Sequence, residues 1–220
     1  MKKICLLSGY DKTKYLNELI SKELKQLITK PKLLVAISTS PDNYAKNDIY
    51  FKGNDEVVGI IKTINKLFPE LEEKVLLDRR ISKDKGIEYL NNADIIFLLG
   101  GNPFTGLKYI KENGFDNIIK KSNALIIGVS AGSMNLAVNS YYSKDENYQR
   151  SIFYKGIGLI DITIDPHFDI NNKEQVAEAI INSKKHKIIG LPNESAIIIN
   201  DNDIIIVGEK YVFEKGALIK

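Results

Sequence analysis

The feature that most constrains the fold is a set of short runs that are apolar on consecutive residues. They lie at Lys3–Leu7, Leu33–Ser38, Lys74–Leu77, Ile95–Leu99 and Ala124–Val129. A strand with one wet face alternates apolar and polar side chains. A run without alternation reads as a strand buried on both faces, the pattern of a parallel sheet covered by helices. Helical spacing separates the runs. Tyr15, Leu16, Leu19, Ile20, Leu24, Leu27 and Ile28 recur at the helix period, and Pro31 closes that segment. Val57, Ile60, Ile61, Ile64, Leu67 and Phe68 repeat the pattern before Pro69, and Leu107, Ile110 and Lys111 form a shorter one that Gly114 ends. This alternation predicts a doubly wound α/β fold, a mostly parallel sheet with helices on both faces.

The last third of the chain reads differently. One more helical pattern (Val176, Ala177, Ile180, Ile181) is followed by β-rich segments in close succession, with Asn200-Asp201-Asn202-Asp203 as a turn between two of them. These segments predict an antiparallel C-terminal extension of the same sheet. No Pro-, Gly- or Ser-rich linker and no repeat divides residues 1–220, so one domain is expected. Composition narrows the function classes. Lys and Arg number 31 against 28 Asp and Glu, and the bases are interleaved with acids. No dense basic stripe points to nucleic acid. No apolar run reaches the ~18 residues of a membrane helix, so no membrane partner is expected. The single cysteine, Cys5, sits in the apolar run ICLL and cannot form an internal disulfide. A reducing cytoplasm is the consistent location.

Three motifs carry chemistry. Gly128-Val129-Ser130-Ala131-Gly132 follows a strand pattern and precedes a plausible helix. A sharp strand-to-helix turn there would expose Ser130 as a nucleophile and aim the Ala131 N–H at a developing oxyanion; the alternative is a small-residue turn that only packs helix on strand. Gly100-Gly101-Asn102 ends another strand. It is either a second oxyanion donor at Gly101 or a tight turn in which Asn102 caps the helix before Pro103. Asp165-Pro166-His167-Phe168-Asp169 ends a β run and holds one of only two histidines. His167 is the candidate base, because His186 lies in the charge run Lys184-Lys185-His186-Lys187. The third triad member is open between Glu194, in Gly190-Leu191-Pro192-Asn193-Glu194-Ser195, and Asp145, in Ser143-Lys144-Asp145-Glu146.

GGN after a strand, GVSAGS about thirty residues on, DPHFD and the GLPNES segment together resemble the peptidase E family. These are α-aspartyl dipeptidases related to cyanophycinases, with a class I glutamine amidotransferase-like fold. The resemblance implies Ser130 as nucleophile, His167 as base, and Gly101 with Ala131 as oxyanion donors. For the third member it implies either a glutamate near the GLP segment or an aspartate between serine and histidine. Family members often carry the acid directly after the proline; here Asn193 holds that position and Glu194 follows one residue late. Serine at the elbow, with Cys5 elsewhere, argues against glutamine hydrolysis through a thioester. The expected activity is a serine-type dipeptidase for small, N-terminal aspartyl peptides, with an esterase or amidase, or an inactive binding module, as the alternatives. No cofactor or metal is expected, and a homodimer is compatible with the reading. An aspartyl substrate needs a cation, and Arg150 is the candidate, with Lys144 and Lys173 as substitutes; Asn102 is the other substrate-binding candidate.

Overall fold

The computed structural model of the chain describes residues 2–146 and 148–219. Its parallel core is built from β1 (Lys3–Leu7), β2 (Leu33–Ile37), β3 (Glu73–Leu77), β4 (Ile95–Leu98) and β5 (Leu125–Val129). Between them run α1 (Glu18–Leu27), α2 (Tyr44–Lys52), α3 (Gly59–Leu67), α4 (Lys83–Asn92), α5 (Pro103–Glu112) and α6 (Phe115–Lys121). After β5 come α7 (Ala131–Asn135), β6 (Asn139–Tyr142), β7 (Ile152–Lys155), β8 (Ile164–Pro166) and α8 (Lys173–Asn182). The chain ends with β9 (Ile188–Leu191), β10 (Ala196–Asn200), β11 (Asp203–Val207), β12 (Tyr211–Glu214) and β13 (Ala217–Leu218).

The main sheet has the order β11-β10-β1-β5-β4-β2-β3. The strands from β1 to β3 pair in parallel, whereas β10 is antiparallel to β1 and β11 to β10. Side chains of β1 alternate between two cores. Ile4 and Leu6 join Leu90, Ile110, Phe115 and Ile119 under α4 to α6, while Cys5 and Leu7 join Ile20, Leu24, Ile60 and Ile64 under α1 and α3. The consecutive apolar runs are therefore what a sheet with helices on both faces requires, and the fold is doubly wound α/β. No helix among the described residues is long and apolar enough to cross a membrane.

The antiparallel extension divides between two sheets instead of continuing one. β10 and β11 extend the main sheet, while β8, β9, β12 and β13 form a second sheet of order β13-β12-β9-β8. Within it β8 and β9 are parallel. The cause is α8, which lies between them: a helical crossover returns the chain to the same end, so the strands it joins run side by side. β6 and β7 form a separate two-stranded ribbon. The step from β9 to β10, residues 192–195, passes from the second sheet to the first, and this passage positions part of the site.

Candidate active site

The carboxyl ends of β1, β2, β4 and β5 converge, the place where open α/β sheets gather ligands. At the end of β5, Ser130 has φ 51° and ψ −114°. A non-glycine residue held there costs of order 1–3 kcal/mol and persists only when its surroundings fix it. Ser130 N–H donates to Leu7 O at 2.9 Å, Met134 N–H to Ser130 O at 3.0 Å, and Ser133 Oγ to Leu7 O at 2.8 Å. The flanking glycines permit close approach. A Cβ on Gly128 would lie 2.6 Å from Ser133 Cα, and one on Gly132 would lie 2.2 Å from Leu98 O. The motif is thus a strained elbow that holds Ser130 half-buried at the rim of a cleft.

His167 follows β8 and comes to the elbow from the second sheet. Its Nε2 lies 2.8 Å from Ser130 Oγ, and its Nδ1 lies 2.6 Å from Asn193 Oδ1. The backbone is clamped to the main sheet by Ser8, the buried residue directly after β1. His167 N–H donates to Ser8 Oγ at 2.7 Å, and Ser8 Oγ donates to Leu191 O at 2.7 Å. Gly9, the next residue, lies flat against the pair. A Cβ there would be 2.5 Å from His167 Cε1 and 2.6 Å from Asn193 Oδ1. An oxygen acceptor at Nδ1 fixes the tautomer with the proton on Nδ1, leaving Nε2 as a base toward Ser130.

Thr39, just beyond β2, donates its hydroxyl to Gly100 O at 2.5 Å. Peptide N–H and C=O groups point oppositely across a trans bond, so the Gly101 N–H faces away from Thr39. Gly101 has φ 130°, and a Cβ there would meet Thr39 Oγ1 at 2.4 Å. Gly101 and Ala131 both line the cavity that contains Ser130. Ala131 opens α7, where the N–H has no intrahelical partner.

The structure thus brings Ser130, His167, Gly101 and Ala131 together. The other expected residues lie elsewhere. The partner of His167 Nδ1 is Asn193, in place of Glu194 or Asp145. Glu194 has φ 62°, its N–H donates to Gly9 O at 2.8 Å, and its Oε1 accepts from Asp11 N–H at 3.0 Å. That left-handed turn aims consecutive side chains in different directions and delivers the amide, not the carboxylate, to the imidazole. Asp145 lies on the cavity wall, where it accepts from the Tyr142 hydroxyl and from Tyr148 N–H. Asn102 caps α5, accepting from Phe104 and Thr105 N–H at 3.0 Å each. Arg150 is exposed and does not line the cavities that contain Ser130. Lys144 is on the cavity wall but ion-paired with Glu174. His186 packs its ring 5.2 Å from Phe153, away from the elbow. Ser8, Gly9 and Thr39 are contributors that the motifs did not single out, and a polar Ser-Gly pair directly after an all-apolar strand is the one local signal for two of them; Asn193 stands directly after the proline, where the family resemblance puts the acid. Among the described residues no group of three or more His, Cys, Asp or Glu side chains is placed to hold a metal ion.

Known proteins resemble this chain in sequence and in fold. The chain is 27% identical over 125 residues to an uncharacterized peptidase of Listeria innocua, covering 53% of this chain and 60% of that protein. It is 26% identical over 142 residues to peptidase E of Escherichia coli, covering 58% and 62% respectively. The match therefore spans about three-fifths of the length of these curated relatives. The crystal structure of a peptidase from an acI-B1 Actinobacterium has the same fold, with a TM-score of 0.68 at 17% identity over 98% of this chain and 91% of that one. The model of peptidase family S51 matches residues 53–207, the stretch that carries the glycine turn, the serine elbow, the histidine and Asn193, and the chain belongs to that family.

Proposed function

We propose that the chain is a serine-type peptidase that cleaves small peptides. The observation that supports this most is the contact of His167 Nε2 with Ser130 Oγ at 2.8 Å, on a strained elbow, with the other imidazole nitrogen held by Asn193. In this reading His167 takes the hydroxyl proton as Ser130 Oγ attacks the peptide carbonyl. The N–H groups of Gly101 and Ala131 stabilise the oxyanion. His167 then passes the proton to the leaving amine, whose C–N bond breaks. Water, deprotonated by His167, releases the acyl group and restores Ser130. Asn193 acts as a positioning residue that keeps Nε2 directed at the serine through both half-reactions.

The finer reading is a dipeptidase that accepts an N-terminal aspartyl residue. Arg150 lines neither cavity that contains Ser130, whereas Lys12 and Lys46 line the smaller of the two. Hydrolysis of a dipeptide library by wild type and by Ser130→Ala tests the proposal. The wild type is expected to turn over a subset of dipeptides and Ser130→Ala to lose on the order of 10⁴-fold or more in rate. Equal turnover by both proteins contradicts it.

A further inference from the structure

Two lobes open from the proposed nucleophile, and Ser130, His167 and Gly101 line both. They differ sharply in charge. The larger, about 530 Å³, carries Asp145, Asp165, Glu174 and Glu178 on its wall, where Lys144, itself paired with Glu174, is the one lysine or arginine among the described residues. The smaller, about 160 Å³, has an apolar floor that includes Ile60, Phe97 and Leu99, and at its edge stand Lys12 and Lys46 with Tyr50. Among the described residues no carboxylate lines this smaller lobe.

Both lysines stand against the Tyr50 ring. Lys12 Nζ donates to the Tyr50 hydroxyl at 2.9 Å and lies 4.6 Å from the centroid of that ring, while Lys46 Nζ lies 5.8 Å from the same centroid. The Lys12 hydrogen bond, with the nearby lysine charges, draws the Tyr50 hydroxyl below its ordinary pKa. The Lys12 backbone is fixed, because its carbonyl accepts from Val58 N–H at 2.8 Å. Two ammonium groups at the edge of one lobe make its potential positive, and an anion bound there lowers that potential. A carboxylate in the larger lobe would instead stand beside Asp145 and Glu178, with Glu174 paired to Lys144 and the buried Asp165 keeping its proton to about pH 7.

We propose that the smaller lobe binds a carboxylate of the peptide substrate, with Lys12 and Lys46 as the residues that select it. The inference rests on the peptidase reading of Ser130. That carboxylate has two sources in a dipeptide: the C-terminus of the leaving residue, or the side chain of an acidic N-terminal residue. Both present the same group to the lysines.

The test is calorimetric titration of Ser130→Ala, which leaves dipeptides intact, with Asp-Leu, Asp-Leu amide and Asn-Leu. One of the two neutralised ligands is expected to bind at least about tenfold more weakly than Asp-Leu, as the loss of a charge-assisted contact implies. Weakening in the amide assigns the C-terminal carboxylate; weakening in Asn-Leu assigns the side chain. Adding Lys12→Met with Lys46→Met should erase the difference, and adding Lys12→Arg with Lys46→Arg should keep it. Equal binding of the three ligands, no measurable binding of any, or a difference that survives the methionine pair overturns the proposal. Failure of the peptidase reading has a separate signature: wild-type protein leaves the dipeptides uncut whatever the pattern of binding.

Discussion

Asn193 occupies the place of a carboxylate in the proposed triad, and the substitution has physical consequences. Its amide oxygen orients the imidazole and fixes the tautomer, but it adds no negative charge to steady an imidazolium. Asn193→Ala is therefore expected to lose about 10²-fold or more in kcat/KM, since a misdirected base costs at least that much. Glu194→Gln, by contrast, should stay within about threefold of wild type, because its side chain meets Asp11 N–H and not His167. Steady-state kinetics on a cleaved dipeptide measure both, and a Glu194→Gln loss as large as that of Asn193→Ala would contradict the assignment. Gly9 supplies a second residue-scale test. In Gly9→Ala the new Cβ would collide with the imidazole at 2.5 Å, so the ring must turn off Ser130. Activity should fall by about 10²-fold or more while the circular dichroism spectrum stays native; unchanged kinetics would show the ring is not held there. Ser130 and His167 were legible because each lies in a short motif at the end of an apolar run. Gly9 was not, because its role depends on contacts between strands remote in sequence; Asn193 holds the position that the resemblance gives to the acid, but an amide there does not read as a triad member.

The elements explain why the dyad forms at all. The β8-α8-β9 unit sends His167 and Asn193 out from neighbouring strand ends, and the buried Ser8 binds both strand ends to β1. The parallel runs announced β1 to β5, but the second sheet was hidden, since a crossover helix and an antiparallel hairpin leave the same apolar strand pattern. The helix α2 was also missed; only Asn47 and Phe51 of it are buried, so it presents no apolar stripe. Packing at the elbow gives a stability prediction. Gly132→Ala places a Cβ 2.2 Å from Leu98 O, and overpacking of this kind costs about 2 kcal/mol, read as a lower urea midpoint. A second prediction concerns Asp165, buried on β8. Burial raises its carboxyl to about 7, against the opposing hydrogen bonds of Ser143 and Gln175. The unfolded chain releases this proton near the ordinary aspartate range, while the folded chain keeps it until about pH 7. The folded state therefore binds more protons in that interval, and stability falls as pH rises through it. Urea unfolding at several pH values should show wild type losing stability relative to Asp165→Asn from about pH 4 to 7; a constant gap would contradict the sign.

At the scale of the whole molecule, the two sheets divide the work. The main sheet carries the proposed nucleophile and the glycine turn at its carboxyl edge, and the second sheet brings the proposed base and its amide partner across to meet them. The cleft between them is electrically split, with carboxylates beyond one side of Ser130 and lysines beyond the other. In the proposed mechanism Ser130 is a nucleophile made reactive by His167. Its most direct test is intact-mass and peptide-level mass spectrometry after treatment with a fluorophosphonate probe. One adduct per chain is expected, located on Ser130, lost in Ser130→Ala and in His167→Ala, and retained in His186→Ala. An unlabelled wild type, or an adduct on a different residue, would contradict it.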